Sequence, residues 1–178
     1  MNNTLKQNVT DFHADLKAAT AAEGHPAVLA AIRARFPNSL AVYRAHKEND
    51  LLGVDIWIEQ KLGVITACDL KIRSIDYGAI RGRALDAVLE ISYGNNDGWA
   101  LKSGRTDAYL FVCLDTGRSA AFKADDLRAA LTANLSIWRT QYKPIFTKTS
   151  SGRGYIESEA IAVPVDVLAA AIKEGRSL

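Results

Sequence analysis

Three residues, Asp55, Asp69 and Lys71, are of the types that metal-assisted hydrolysis of a phosphodiester requires. Mg²⁺ binds proteins through one or two carboxylates together with waters and phosphate oxygens. A lysine ammonium stabilises negative charge that develops near the nucleophile or the phosphate. Asp69 and Lys71 are two positions apart, so on a strand both project from one face, roughly 6.6 Å apart along it.

Asp55 is the candidate second carboxylate, because it lies in the alternating segment GVDIWIE at 53–59. The isoleucines of that segment face one way, and Asp55 faces the other. A turn at Gln60–Gly63 pairs this segment with 64–73, and folding about Leu62 places Asp55 opposite Asp69. The backbone carbonyl of Leu70 is then a candidate additional metal ligand.

An acidic residue two positions before a lysine is a weak motif by itself. The chain contains three such triplets: Asp15–Leu16–Lys17, Glu59–Gln60–Lys61 and Asp69–Leu70–Lys71. The first lies in a predicted helix, where such positions point apart, and the second shares a strand with Asp55. Only the third has an acidic partner on an adjacent predicted strand. The alternative is a structural ion pair at 69 and 71, with Asp55 on a solvated strand face.

The elements that must position these residues alternate between helices and strands, which predicts an α/β fold around one mixed sheet. Helices are predicted at 4–22, at 27–36, from an N-cap at Asp125 to about 138, and after Pro164. Residues 87–93 fit a strand or a helix, and 141–154 are predicted to be a loop. The predicted strands are 39–46, 53–59, 64–73, 107–114, 118–122 and 155–163.

The composition is that of an ordinary globular chain. Of 178 residues, 48% are apolar and 24% are charged, which argues against a disordered or fibrous protein. The length predicts a single domain. There is no apolar run of about 20 residues and no segment of signal-peptide type at the N-terminus, so we expect a cytoplasmic protein without a membrane partner. Cys68 and Cys113 lie in apolar segments and are predicted to be buried thiols.

Together these segments resemble the PD-(D/E)XK nuclease superfamily, and its phage-type or restriction-endonuclease-like members in particular. Asp55 followed by Asp69-x-Lys71 matches the motif, although Val54 replaces the usual proline. The resemblance covers about residues 45–123, through GVDIWI, ITACDLKIR, VLEIS and GWALKSGRTDAYLFV. It implies a restriction-endonuclease-like core at about 39–140, in which helices flank a central mixed β-sheet. A helical N-terminus at 4–36 and a C-terminal strand and helix at 155–175 complete the expected domain.

The resemblance also implies an activity, that of a Mg²⁺-dependent deoxyribonuclease, with endonuclease action expected. Asp55, Asp69 and the Leu70 carbonyl would hold Mg²⁺, for which Mn²⁺ would substitute, and no organic cofactor is expected. Lys71 would position or activate the attacking water. Glu90, in VLEIS, is either a third ligand or an exposed edge residue. Such nucleases often take another acidic residue from the first helix, for which the candidates are Asp11, Asp15 and Glu23.

DNA is the expected partner, and paired cuts would require a homodimer or two binding events. The net charge of +2 neither requires nor excludes nucleic acid. Trp99 could line the site, stack on a base or belong to the core, and the basic residues could equally form solvated faces. The rival interpretation is a non-catalytic binding or inhibitor module that keeps the nuclease fold. The candidate DNA-contacting residues are Arg73, Arg81, Arg83, Trp99, Lys102 and Arg153.

Overall fold

The structure is a computed structural model, which describes residues 8–11, 23–50, 52–151 and 154–175. The described residues form ten strands, five α-helices and one 3₁₀ turn at Lys61–Gly63. The strands are β1 (Asn8–Asp11), β2 (Ser39–Arg44), β3 (Ile56–Gln60), β4 (Ile65–Arg73), β5 (Asp86–Tyr93), β6 (Asn96–Asp97), β7 (Ala108–Cys113), β8 (Ser119–Lys123), β9 (Ile145–Ser151) and β10 (Gly154–Pro164). The helices are α1 (Pro26–Arg35), α2 (Lys47–Asp50), α3 (Tyr77–Ile80), α4 (Ala124–Gln141) and α5 (Val165–Gly175).

The expectation of one mixed sheet is wrong, because the strands form two five-stranded sheets. The site sheet has the order β2-β3-β4-β7-β8, and the second sheet has the order β1-β9-β10-β5-β6. The site sheet is mixed, since β4 pairs antiparallel with β3 and parallel with β7. Helices pack against it, so the α/β class is correct. The alternation of polar and apolar residues identifies a strand but does not show which strand it pairs with. Strands β5 and β10 therefore could not be assigned from sequence to the second sheet, where they pair with each other.

Two apolar cores hold these layers together. One face of the site sheet packs on α1, where Val28 and Ile32 meet Ile58 and Leu110. The other face packs toward the second sheet, α4 and α5, through residues such as Phe111 of β7. Helix α4 contributes one apolar face to this core, since Leu127, Leu131 and Trp138 are buried and Leu135 packs against the same core.

Three other expectations about local structure are wrong. Residues 8–11 of the predicted helix 4–22 form strand β1, paired parallel with β9; the rest of that helix, apart from 8–11, lies outside the described residues. The predicted loop 141–154 contains β9, whose threonines and serines carry no apolar alternation. Helix α4 begins at Ala124, so Asp125 lies in its first turn and is not the N-cap. There its charge still interacts favourably with the helix dipole.

One buried ion pair fixes the connection between β4 and β5. The carboxylate of Asp76 is fully buried and accepts two hydrogen bonds from the guanidinium of Arg118, at 2.6 and 2.8 Å. It also accepts from the Thr116 hydroxyl and caps α3 by accepting from the Ala79 amide. Four hydrogen bonds therefore converge on one carboxylate and join the β4–β5 connection to the turn before β8.

Candidate active site

Strands β3 and β4 bring Asp55 and Asp69 together in the register that the sequence predicts. Ile56 pairs with Cys68 and Trp57 with Ala67, and the Asp55 amide donates to the Cys68 carbonyl at 3.0 Å. The extended pairing thus continues one residue beyond β3 and sets Asp55 opposite Asp69. Because paired residues in a sheet project from the same face, both carboxyl groups lie on one side of the sheet.

The Asp55 carboxyl group also binds the backbone of β4. Its Oδ2 accepts a hydrogen bond from the Leu70 amide at 2.6 Å. The N–H and C=O of one strand residue point to the same side of the strand, so the Leu70 carbonyl also points toward the edge that Asp55 occupies. Of the predicted metal ligands, Asp55, Asp69 and the Leu70 carbonyl are therefore brought to one edge.

Lys71 completes this group of charges. Its Nζ lies 2.7 Å from Oδ1 of Asp69 and 4.2 Å from the centroid of the Trp99 ring. The side chain of Asp69 is only 6% exposed, whereas that of Lys71 is 24% exposed. An ammonium over an indole face is attracted by the ring quadrupole, more strongly when it is partly desolvated. The ammonium therefore has two neighbours that hold it beside the carboxylates.

Trp99 is placed by a close backbone approach at Gly98. A side-chain carbon at Gly98 would overlap the backbone of Glu90 and Ile91, so only glycine fits there. The Trp99 ring then packs against Tyr109, with centroids 4.8 Å apart. Trp99 thus belongs to the wall around Lys71, and it packs against the core as well.

Glu90 stands near this wall but does not complete a carboxylate triad. Its Oε1 accepts a long hydrogen bond, 3.5 Å, from the Trp99 amide. Burial raises the pKa of Glu90, and the amide of Trp99 and the charge of Lys71 oppose that rise. Within the described ranges, no three His, Cys, Asp or Glu side chains are grouped so that they could hold a metal ion.

The loops before β3 and β7 close one side of the site. Gly53 has a positive φ of 81°, and a side-chain carbon there would stand 3.2 Å from the Thr106 hydroxyl and 3.9 Å from Asp69 Oδ2. The buried Thr106 hydroxyl donates to the Gly53 carbonyl. Glycine at this position therefore lets backbone line the Asp69 carboxylate.

The pKa of Asp55 is raised to about 7, first by burial and then by the charge of Asp69, against the opposing effects of the Leu70 amide and Lys71. The neighbouring Asp69 carboxyl group, as a hydrogen-bond acceptor, also raises the pKa of Asp55. Below this pH a protonated Asp55 is able to donate to an oxygen of Asp69. Two adjacent carboxylates resist being ionised together, since each disfavours the charge of the other.

Asp55→Asn is therefore expected to stabilise the protein at pH 8 in the absence of divalent ions. The folded-state pKa lies above the ordinary value of 3.8, so ionisation of Asp55 costs stability as the pH rises from about 4 through 7. Thermal unfolding in EDTA should show a higher melting temperature for the variant at pH 8 and almost none of this advantage at pH 4. A variant that is less stable than wild type at pH 8 would contradict this account of the pair.

The donor set fits a hard divalent cation. The desolvated carboxyl groups of Asp55 and Asp69 are neighbours, and the ammonium of Lys71 lies between Asp69 and the Trp99 ring. The Leu70 backbone carbonyl points to the same edge. Mg²⁺ needs no more than one or two protein carboxylates, since waters and phosphate oxygens fill its other positions. Asp55, Asp69 and the Leu70 carbonyl would hold it.

The other DNA-contacting candidates that the structure describes lie on separate segments. Arg83 is engaged elsewhere, in an ion pair with Asp86 at 2.9 Å. Arg73, at the end of β4, and Arg81, after α3, are exposed. Lys102 is exposed on the loop before β7, and Arg153 lies outside the described residues.

Of the acidic residues proposed for the N-terminal segment, Glu23 is the one whose side chain the structure describes. Glu23 forms an ion pair with Arg44 at 3.2 Å. Asp15 and the side chain of Asp11 fall outside what the structure describes. Asp107 supports the sheet, because its carboxylate accepts from the Ala67 amide at 2.8 Å.

The aromatic pair Tyr43 and Trp57, which lies beside the site, was not predicted from the sequence. The two residues are direct partners across β2 and β3. The alternation of residues in 53–59 places Trp57 on the same face of the strand as Asp55, so the position of Trp57 near the site could have been predicted. The position of Tyr43 could not have been predicted in this way, because Tyr43 lies beside Trp57 only through the register in which β2 pairs with β3.

Comparisons with known proteins identify no relative: no family model, curated protein or solved structure matches the chain. Within the described segments, no helix has both the length and the apolar character that a membrane crossing requires.

Proposed function

We propose that the protein is a metal-dependent nuclease that hydrolyses DNA phosphodiester bonds through a site of the PD-(D/E)XK type on a restriction-endonuclease-like core. One observation carries the proposal: Asp55, Asp69 and Lys71 converge on one face, with a strand carbonyl at the same edge. Their separation in sequence and their desolvation distinguish the group from a surface ion pair. DNA as the substrate rests on the family resemblance.

Each residue of the group has a separate task in this proposal. A bound divalent cation would supply Lewis-acid stabilisation of the phosphate and a water of lowered pKa. Asp55 and Asp69 would bind this cation, and Asp55 must give up its proton to do so. Lys71 holds a positive charge where the phosphate gains negative charge, and Trp99 keeps the ammonium in place. The buried surroundings strengthen these electrostatic interactions.

A supercoiled plasmid tests the activity directly. The wild type is expected to convert it to the nicked form with Mg²⁺ or Mn²⁺, and EDTA should stop the reaction. Asp69→Asn should abolish nicking, whereas the exposed control Asp97→Asn should not. Unchanged nicking by Asp69→Asn would identify a contaminating enzyme and contradict the proposal.

Calorimetric titration with Mn²⁺ tests the metal site without any substrate. Binding by the wild type and its loss in Asp69→Asn are expected, and binding should release protons near pH 7 as Asp55 ionises. An RNA substrate run beside the plasmid distinguishes a deoxyribonuclease from a less selective enzyme. Failure of the wild type to bind any divalent ion would contradict the metal-dependent mechanism.

The second candidate function is a non-catalytic binding protein with a nuclease fold, and one observation favours it. Asp69 is almost fully buried and is already paired with Lys71, an arrangement that a fold could retain for stability alone. Such a protein would bind its partner equally well with Asp69→Asn, and it would nick no plasmid under any metal condition.

A further inference from the structure

A cavity of about 430 Å³ opens on the site sheet beside the proposed catalytic group. Its volume falls in the range of about 300–1,000 Å³ that is usual for small-ligand sites. Strands β2, β3 and β4 provide the floor, and the residues after β2 extend it. The lining residues are Tyr43, Arg44, His46, Trp57, Glu59 and Ile65.

This cavity adjoins Asp55. Trp57 follows Asp55 by two positions on the same face, which separates them by about 6.6 Å along the strand. The Ala45 amide donates to the Asp55 carbonyl at 2.8 Å, so His46 directly follows a residue that is bonded to Asp55. A phosphate at the carboxyl pair would therefore have its attached nucleoside within reach of the cavity.

The cavity offers two aromatic rings to an incoming planar group. Tyr43 is 53% exposed and Ile65 is 60% exposed, while Trp57 is half-buried between them. In the part of the chain that the structure describes, neither ring belongs to the two apolar cores. Nucleic-acid bases stack on such rings irrespective of sequence, because every base has a π-face.

The polar groups of the cavity match the edge of a base better than a phosphate. Glu59 Oε2 accepts a hydrogen bond from the Tyr43 hydroxyl at 2.8 Å, and its carboxylate would repel a phosphate group. A carboxylate accepts hydrogen bonds from the exocyclic amino groups of bases. Arg44 is held by Glu23 at the rim. The part of the cavity that carries Glu59 thus suits the edge of a base, whereas the phosphate belongs outside the cavity, beside Lys71.

We propose that this cavity binds an unpaired nucleobase next to the scissile phosphate, so that DNA with unpaired bases is the preferred substrate: a single strand, an unpaired end or a locally unpaired segment of a supercoiled plasmid. The inference rests on the proposed function, whose site it extends. A base inside a duplex is stacked and paired on both sides, and it cannot enter a side-chain cavity unless it is extruded. An unpaired base enters without that cost.

Fluorescence anisotropy of labelled oligonucleotides, measured in EDTA, tests binding separately from cleavage. The probes are a single strand, a duplex with a short single-stranded overhang, the same overhang without bases, and a blunt duplex. Wild type should bind the first two about 5- to 100-fold more tightly than the last two. Tyr43→Ala and Trp57→Ala should remove that preference, and Tyr155→Ala, which replaces an exposed tyrosine of the second sheet, should keep it.

The two proposals fail in different ways. Equal affinity for the overhang with and without bases, or a preference that survives in Tyr43→Ala, overturns the base-binding cavity even if the plasmid is nicked. A preference that Tyr43→Ala abolishes supports the cavity even if no metal-dependent cleavage is found. Circular dichroism and unfolding midpoints of each variant confirm that a lost preference does not reflect a lost fold.

Discussion

Replacing Lys71 by methionine is expected to lower the rate of plasmid nicking by about 100- to 1,000-fold, the usual cost of removing one preorganised charge or donor from a transition state. Methionine keeps most of the side-chain volume beside Trp99 and removes the ammonium that lies 2.7 Å from Asp69. Single-turnover nicking at saturating Mn²⁺ is the appropriate measurement, because it isolates the chemical step from metal affinity.

Lys61→Met is the matched control for Lys71→Met. Lys61 ends the triplet Glu59–Gln60–Lys61, which has the same spacing, but the residue is exposed in the turn between β3 and β4. Its replacement should leave the nicking rate within about twofold of wild type, as for a surface change away from the site. Similar rates for Lys71→Met and wild type would exclude a catalytic task for the ammonium.

Asp76→Ala is expected to lower the free energy of unfolding by about 1.5–3 kcal/mol, since it removes charge-assisted hydrogen bonds to a fully buried carboxylate. The cost is limited because the side chain of Arg118 is 36% exposed and regains water. Arg118 would lose both of its hydrogen bonds to the carboxylate, and α3 would lose its cap. For a chain of this length the melting temperature should fall by about 3–12 °C. Thermal or urea unfolding at neutral pH measures the effect.

The exposed pair of Asp125 and Arg128 supplies the control for the buried pair. The side chain of Asp125 is 96% exposed, so Asp125→Ala should cost less than about 1 kcal/mol. Replacing both partners, as in the double variant Asp76→Ala with Arg118→Met, should cost less than Asp76→Ala alone. Equal losses in Asp76→Ala and Asp125→Ala would show that the buried pair adds nothing.

The contribution of Asp76 should also depend on pH in the opposite direction to that of Asp55. Hydrogen bonds from Arg118 lower the pKa of Asp76 to about 2, below the ordinary value of 3.8. The stabilisation is therefore complete above pH 4 and disappears as the pH falls from 4 to 2. The difference in stability between wild type and Asp76→Ala should narrow over that interval.

The β3–β4 hairpin could be predicted from sequence because its determinants are local. Alternation of polar and apolar residues fixes which face each side chain takes, and the short turn at Lys61–Gly63 fixes the register. Asp55 therefore meets Asp69 as expected. The determinants of helix α1 are also local, and the helix was predicted. Its N-cap was not predicted: the His25 ring accepts a hydrogen bond from the Ala27 amide at 3.2 Å.

The parts that sequence did not predict depend on contacts between distant segments. Strand β9 carries polar residues on both faces, and it is defined only by its partners β1 and β10. Trp99 reaches Lys71 because the chain at Gly98 packs against the backbone of Glu90. Neither contact leaves a periodic signal in the residues that form it.

The path of the chain through the two sheets makes them interdependent. After β4 the chain leaves the site sheet, forms β5 and β6 in the second sheet, and returns as β7 beside β4. The central strand of the site sheet thus obtains its parallel neighbour only after the chain has passed through the other layer. Neither layer can be excised as an autonomous fragment, and damage to one should propagate to the other in a single cooperative loss of structure.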